Sequence, residues 1–190
     1  HENYAFFSKT SKFMQTHFKQ FADWIEQNYF NDKNPFIIEI GSNDGILLEN
    51  FAKKNIDHLG IEPSSNVAEN ALKNGVNTIT KFFNESLTSD ILENYRKADC
   101  IVAANVMCHI PDLNEIGKCA NSLLKEKGVL IFEDPYLLDM LQRVSYDQIY
   151  DEHVFMFSAH SVNNIFKEHN LEIIELIHQK THGGSMRYVL

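Results

Sequence analysis

The chain has 190 residues, of which 44% are hydrophobic, 12% aromatic and 23% charged, and its formal net charge is −9. This composition predicts a globular domain with a sizeable core rather than a disordered chain. The acidic balance argues against a protein that coats nucleic acid, because phosphate binding requires a basic face. No stretch approaches the ~20 apolar residues of a membrane span, and the start lacks a signal-peptide pattern. Three cysteines without a CxxC pair favour a reducing compartment, so we expect a cytoplasmic protein without a membrane partner.

Short apolar runs alternate with patterns of helical spacing along most of the chain. In chain order, the pattern predicts a helix at 11–29, a strand at 36–40, a helix at 46–54, a strand at 58–62, a helix at 66–73, and strands at 77–80 and 99–104, followed by a helix at 114–124 and a strand at 129–133. This alternation predicts an α/β fold, a doubly wound parallel sheet with helices on both faces. After Pro135 the pattern changes to a helix at 136–143, an aromatic-rich loop at 146–157, a helix at 161–169 and a strand at 172–179, and the final run at 187–190 is typical of an unfinished strand.

Two features at predicted strand ends favour a nucleoside-type cofactor. Gly41 and Gly45, on either side of Asn43, let the backbone turn sharply and approach a ligand closely. Glu62 ends the second strand, where such folds place a carboxylate that accepts hydrogen bonds from ribose hydroxyls. The spacing is not GxGxxG, which weakens a nicotinamide interpretation. For the glycine loop alone, an ordinary tight turn is the alternative.

Further candidates follow the third and fourth strands. Phe82 and Phe83 could flank an adenine ring by stacking. Core packing is the alternative for both, and it is the weaker one for Phe83. Asn105 follows the fourth strand, where its amide or backbone could meet the other end of the same cofactor.

Six blocks of sequence carry a family resemblance: Glu39–Gly45, Gly60–Pro63, Ala104–Pro111, Phe132–Tyr136, Tyr146–His153 and His182–Arg187. They resemble the sugar C3-methyltransferases of deoxysugar biosynthesis, in particular the tetronitrose-type enzymes. The first block is generic to methyltransferases, whereas Tyr-Asp-Glu-His and His-Gly-Gly are far more specific. The resemblance implies a Rossmann-like class I methyltransferase fold, S-adenosylmethionine as cofactor and a nucleotide-linked keto-sugar as small-molecule substrate.

The resemblance also implies a domain organisation. Residues 1–30 are expected to form a helical lead-in, residues 31–135 the cofactor-binding core, and residues 136–190 a substrate-side extension that leads into a C-terminal domain. Members of the family carry an N-terminal domain with cysteine zinc ligands, which this sequence lacks. Zinc is therefore expected only in a domain outside this chain, and we expect no metal site within it.

Methylation of carbon beside a ketone requires a base, stabilisation of an enolate oxygen and alignment. In Tyr150-Asp151-Glu152-His153, the imidazole of His153 suits proton abstraction near neutrality. Tyr150 could donate a hydrogen bond to the developing oxyanion, and Glu152 or Asp151 could orient a ring. From the residues alone, a histidine in an aromatic stretch is more often structural; the resemblance implies that His153, Tyr150 and Glu152 are catalytic.

Three other residues are expected to contact substrate. His109 follows the fourth strand, His182 precedes two glycines that suggest a loop, and Tyr4 matches a tyrosine-bearing stretch of the family. The alternatives are an O- or N-methyltransferase of another metabolite, in which the base would deprotonate a hydroxyl or amine, and a cofactor-binding module that has lost catalysis. The presence of Tyr150, Glu152 and His153 argues against the latter.

Overall fold

A seven-stranded sheet forms the centre of the protein, which a computed structural model describes over residues 7–190. The strands are β1 (Phe36–Ile40), β2 (Asp57–Ile61), β3 (Thr78–Ile79), β4 (Ala98–Ala104), β5 (Leu124–Pro135), β6 (Glu175–Gln179) and β7 (Ser185–Val189). Their order across the sheet is β3-β2-β1-β4-β5-β7-β6. β1 to β5 pair in parallel, and β7 is antiparallel to both β5 and β6. The predicted doubly wound, mostly parallel sheet is confirmed, with its change of direction between β1 and β4.

Both faces of the sheet are covered by helices, which are α1 (Lys12–Tyr29), α2 (Glu49–Ala52), α3 (Ser65–Lys73), α4 (Glu85–Asn94), α5 (Leu113–Leu123), α6 (Leu137–Arg143) and α7 (Ala159–Phe166). All five residues of β1 are buried, as a strand covered on both sides requires. Successive side chains enter opposite layers: Ile37 packs with Phe21 of α1, whereas Ile38 packs with Ile116 of α5. The apolar run that predicted β1 therefore contributes side chains to two hydrophobic clusters, one on each face of the sheet.

Several predicted boundaries are wrong. The segment 46–54 is helical only at Glu49–Ala52; positive φ at Asn43 (49°) and Gly45 (74°) puts turns ahead of it. The predicted strand 129–133 is longer, and the predicted strand 172–179 begins only at Glu175. The predicted helix 161–169 begins at Ala159 and gives way to a 3-10 turn after Phe166.

α4 is absent from the sequence prediction. Asn84 begins it as an N-cap, with its side chain accepting a hydrogen bond from the backbone of Leu87 at 2.9 Å. The cap satisfies an N–H group that the first turn of a helix leaves without a partner. Asn84 therefore serves the helix that follows it.

Residues 187–189 of the final apolar run belong to β7, which lies between β5 and β6. Its register places Arg187 opposite Glu133 and Tyr188 opposite Phe132. The segment 136–190 thus adds β6 and β7 to the same sheet as the parallel strands. Among residues 7–190, no helix is both long and apolar enough to cross a membrane.

We expect Phe132→Ala to destabilise the protein by about 3–5 kcal/mol, the usual cost of deleting a buried aromatic side chain. Phe132 is fully buried, and its ring centroid lies 4.7 Å from that of Tyr188 and 5.7 Å from that of Phe166. Urea unfolding followed by circular dichroism measures the change. Phe13→Ala, at a position 63% exposed, is the control and should stay within about 0.5 kcal/mol of wild type. Equal stability of the two variants would contradict the packing described.

Candidate active site

A cavity of about 520 Å³ opens where β1, β2, β4 and β5 end. Parallel strands of such a sheet place ligands at their carboxyl ends, near the change in strand order. The sequence-predicted residues on its wall are Gly41, Asn43, Glu62, Phe83, Asn105, His109, Glu152 and His182. Gly45, Tyr150 and His153 lie outside the wall, and Tyr4 lies outside the described residues. The structure thus gathers most of the predicted cofactor residues around one space.

The loop after β1 follows the edge of the cavity. Gly41 has φ +68°, and a Cβ at this position would come within 2.5 Å of the Val106 side chain, so only glycine fits. Glu62 braces the loop: one carboxylate oxygen accepts from the backbone of Asn43 at 3.0 Å and the other from the backbone of Ser64 at 2.8 Å. A carboxylate offers about four acceptor positions, so Glu62 keeps acceptor capacity for a pair of hydroxyl groups.

Gly45 has a different role from the one predicted. It is buried with φ +74°, and a Cβ there would lie 2.9 Å from the Val76 side chain. This glycine allows the turn to pack against the helix layer, and its position does not face the cavity.

Glu39 is a cavity residue that the sequence analysis did not single out. It is buried on β1, and its Oε2 has no hydrogen-bond partner among the described residues. Burial, with the negative charges of Asp44 and Glu62 nearby, raises the pKa of Glu39 well above its usual value. Asn105 lies on the same wall with positive φ and a buried Oδ1 that also lacks a described partner. The signal that could have identified Glu39 is an acid in an otherwise apolar strand.

The two phenylalanines after β3 differ in exposure. Phe83 is 8% exposed and Phe82 is 65% exposed, and both line the cavity. Phe82 is therefore not a core residue, whereas Phe83 belongs both to the core and to the wall.

The segment before α1 covers the same loop. Backbone amides of Ser8 and Lys9 donate to the side chains of Asn43 (3.4 Å) and Asp44 (2.9 Å). Lys9 also forms an ion pair with Glu49 at 2.6 Å. These contacts hold Ser8 at the cavity wall, a placement that sequence spacing could not reveal.

His153 and Tyr150 form a hydrogen-bonded pair. His153 Nδ1 lies 2.8 Å from the carbonyl oxygen of Gln148, which only accepts, so this nitrogen carries the proton. In the neutral ring the Nε2 lone pair then accepts from the Tyr150 hydroxyl at 2.7 Å. Burial lowers the pKa of His153, and His109 acts in the same direction, which favours this neutral form. The Gln148 carbonyl orients the ring, where the sequence analysis suggested a carboxylate of Glu152 or Asp151.

His109 stands beside this pair on the cavity wall. Its ring centroid lies 5.0 Å from that of His153, and its Nδ1 lies 2.8 Å from the carbonyl oxygen of Glu152. The Cys108 carbonyl accepts from the backbone of Val154 (2.8 Å) and Phe155 (3.2 Å). These bonds fasten the turn after β4 to the loop that carries Tyr150 and His153, and Asp151 and Glu152 of that loop line the cavity.

A second group that sequence reasoning missed centres on Glu133 at the end of β5. Its carboxylate accepts from His17 at 2.7 Å and from Arg187 Nε at 2.7 Å. Burial alone would raise the pKa of Glu133, but the His17 hydrogen bond and the Arg187 charge lower it. The Arg187 guanidinium carbon also lies 3.8 Å from the ring centroid of Phe21. This network joins β5, β7 and α1 at the cavity.

His182 reaches the cavity from the turn between β6 and β7. It has φ +50°, a left-handed conformation that is uncommon outside glycine, and burial lowers its pKa. The Arg143 side chain donates to the carbonyl of Gly183. Asp139, which accepts from His178 at 2.6 Å, packs against Gly184 so closely that a Cβ at this glycine would lie 2.5 Å from it.

The sheet order, the antiparallel β7 and the cavity at the strand ends define the class I methyltransferase fold. Magnesium protoporphyrin IX methyltransferase ChlM from Synechocystis PCC 6803 with bound S-adenosylhomocysteine shares it with a TM-score of 0.68 and 14% identity, over 92% of this chain and 81% of that one. An S-adenosylmethionine-dependent methyltransferase from Clostridium acetobutylicum ATCC 824 gives a TM-score of 0.70 at 16% identity, over 90% of each chain.

Residues 12–176 match the family described as a methyltransferase domain, and the chain belongs to this family. It is 29% identical to the C-methyltransferase NovU of Streptomyces niveus over 170 residues, which are 90% of this chain and 40% of that protein. It is 28% identical to the ubiquinone biosynthesis O-methyltransferase of Pasteurella multocida (strain Pm70) over 107 residues, 50% of this chain and 44% of that protein. The chain thus spans less than half the length of either relative. The predicted methyltransferase family and its class I fold are confirmed.

We expect Arg187→Met to lower the free energy of unfolding by about 3–5 kcal/mol, because the buried Glu133 carboxylate loses its guanidinium partner. Lys118→Met is the control: Lys118 pairs with Glu85 at 2.8 Å, but the two side chains are 61% and 57% exposed. An exposed pair of this kind contributes about 0–1 kcal/mol. Urea unfolding of both variants provides the comparison. If Arg187→Met lowered the free energy of unfolding no more than Lys118→Met does, the buried Glu133 charge would not depend on Arg187.

Proposed function

We propose that this chain transfers the methyl group of S-adenosylmethionine to C3 of a nucleotide-linked 4-keto-deoxysugar. The observation that carries the proposal is the hydrogen-bonded Tyr150–His153 pair, in which the His153 ring centroid lies 5.0 Å from that of His109 on the cavity wall. The identity with a C-methyltransferase over 90% of the chain supports transfer to carbon. The nucleotide sugar comes from the resemblance of the blocks at 146–153 and 182–187.

The cavity wall fits the proposed cofactor. The braced carboxylate of Glu62 would accept from the ribose hydroxyls, and Phe83 would pack against the adenine. Glu39 Oε2 and Asn105 Oδ1, buried and without described partners, would accept from the amino group of the methionine end. Burying such groups unpaired is costly, so a cationic ligand that satisfies them binds favourably. When bound, S-adenosylmethionine supplies an electrophilic methyl group on its sulfonium.

The chain's own residues provide the proton transfer. His153 Nε2 would take the C3 proton of the sugar, and the electron pair of the C–H bond would move into the enolate of the adjacent C4 ketone. The Tyr150 hydroxyl, released from Nε2, would donate to the enolate oxygen. The Gln148 carbonyl keeps accepting from Nδ1 and so stabilises the resulting imidazolium. The enolate carbon would then form its new bond to the methyl group while the sulfur–methyl bond breaks and S-adenosylhomocysteine leaves.

His109 and Glu152 have supporting positions in this proposal. The Glu152 carbonyl holds the His109 ring, which lines the cavity and has its centroid 5.0 Å from that of the His153 ring. His109 would therefore contact the sugar near the base. His182 lines the same cavity and would contact the substrate there.

Transfer to oxygen is the second candidate, favoured by the identity with an O-methyltransferase over half of the chain. His153 would then deprotonate a hydroxyl group, and no enolate would form. Nuclear magnetic resonance of the product distinguishes C-methylation from O-methylation, because only C-methylation forms a new bond between C3 and the methyl carbon.

We expect Glu62→Ala to weaken S-adenosylmethionine binding at least about tenfold, since charged acceptors contribute about 1.5–3 kcal/mol per hydrogen bond before compensation by water. Isothermal titration calorimetry measures the affinity, and thermal unfolding verifies that the loop survives loss of the brace. Glu69→Ala, which removes an exposed carboxylate on the following helix, is the charge-matched control. Unchanged affinity in folded Glu62→Ala would remove this residue from the cofactor site.

We expect His153→Asn to lower turnover about 10²–10⁴-fold, the usual contribution of a general base, with cofactor affinity nearly unchanged. Exchange of the C3 proton in deuterated water without methyl donor isolates the first step: wild type should exchange, and the variant should not. His160→Asn, at an exposed histidine of α7, is the matched control. A His153→Asn variant that exchanges as fast as wild type would place the base elsewhere.

A further inference from the structure

Cys108, His109 and His153 converge beside the cavity. Each offers one atom able to bind a metal ion, and these atoms lie within 4.8 Å of one another. Cys108 is buried and the two histidines are partly buried. The two parts of the chain that carry them are fixed to each other by the bonds from Val154 and Phe155 to the Cys108 carbonyl. The three side chains are therefore held together by the backbone.

Both imidazoles are oriented as metal-binding histidines are. Nδ1 of His109 lies 2.8 Å from the Glu152 carbonyl, and Nδ1 of His153 lies 2.8 Å from the Gln148 carbonyl. A histidine that binds a metal almost always donates its other N–H to a carbonyl or carboxylate, which fixes the ring and its tautomer. Each Nε2 is left as the atom with a lone pair.

We propose that Cys108, His109 and His153 form a binding site for a soft divalent cation of the zinc type. One thiolate and two imidazoles suit zinc, whereas magnesium and calcium prefer oxygen ligands. Zinc bonds of about 2.0–2.3 Å in a tetrahedron require ligand atoms roughly 3.3–3.6 Å apart, a distance that side-chain rotations can reach from this cluster. Water or the Tyr150 oxygen would complete the coordination, and the thiol proton would leave to the buffer.

The site has a consequence that rests on the proposed function. A cation on His153 Nε2 occupies the lone pair that would take the C3 proton and breaks the hydrogen bond from Tyr150. Zinc would therefore inhibit methyl transfer while leaving the cofactor wall around Glu62 and Phe83 intact. The metal site itself does not depend on the identity of the substrate.

The direct test is metal titration of the chelator-treated protein. With Co²⁺ as the probe, wild type should show a thiolate-to-cobalt charge-transfer band and tetrahedral visible bands, because the cluster supplies a cysteine. Zn²⁺ should abolish these bands, and Mg²⁺ should not. Absence of a charge-transfer band in wild type overturns the proposal.

Variants identify the ligands. Loss of a partner outside the coordination sphere typically costs about 10–100-fold in metal affinity, so Cys108→Ser, His109→Ala and His153→Ala should each weaken Zn²⁺ binding by at least about tenfold. Competition with a chromophoric chelator measures the affinity. Cys119→Ser, at a buried free cysteine of α5, is the matched control and should bind as wild type does. Cofactor binding by each variant verifies folding, and wild-type affinity in folded Cys108→Ser overturns the proposal.

Inhibition by zinc can be measured separately from zinc binding. In the deuterium exchange assay, Zn²⁺ should stop wild-type exchange, a chelator should restore it, and Cys108→Ser should exchange with little response to zinc. Exchange that continues at saturating Zn²⁺ overturns the inhibitory role while the cobalt bands still establish the site. If wild type without metal never exchanges, the proposed function fails, and the cobalt spectrum alone decides the metal site.

Discussion

Glu133 is the side chain at which three separated parts of the chain meet. Its two oxygens accept from His17 on α1 and from Arg187 on β7, and its backbone carbonyl accepts from Asn105 after β4. Burying such charges costs free energy that their attraction repays only when every partner is present. Helix α1, the turn after β4 and the antiparallel strand are thereby held in one relative position. The cavity wall depends on Glu133, because its carboxylate and its backbone carbonyl together join the elements that carry His17, Arg187 and Asn105.

Acidic side chains cluster where β1 and β2 end. Glu39 lies on β1, Asp44 in the loop after it and Glu62 after β2; burial, together with the charges of Asp44 and Glu62, raises the pKa of Glu39. Lys9 relieves part of this charge by donating its backbone N–H to Asp44. The buried acceptor atoms that still lack a partner lower the stability of the protein. A cationic ligand that pairs with them would therefore bind favourably. The two acidic groups therefore differ in their electrostatics: the Glu133 carboxylate is paired with His17 and Arg187, whereas Glu39 Oε2 has no hydrogen-bond partner among the described residues.

The sequence predicted those elements that depend on a repeated spacing or on residues close together in the chain. The apolar runs of β1, β4 and β5 gave the sheet because strands buried on both faces are continuously hydrophobic. The helix α4 was missed because the sequence analysis considered Phe82 and Phe83 as adenine contacts and did not identify Asn84 as a helix cap. The Glu133–Arg187 contact joins residues 54 positions apart, and no periodicity connects them. Both lay in blocks that the family resemblance had marked, yet their pairing required the antiparallel register of β5 and β7.

The contacts of the 150–153 block show the same difference between pairings of residues close in sequence and contacts between distant segments. Tyr150 and His153 are close in sequence, and their pairing needed only the turn that joins them. The approach of Cys108 and His109 came from hydrogen bonds between distant backbone segments. A carbonyl on Nδ1 gives His153 a directed lone pair at Nε2, and an oriented lone pair serves a proton and a metal ion equally well. The arrangement that would make His153 a base would therefore also make it a metal ligand. The Cys108 thiol beside it would decide which cations can compete with the proton.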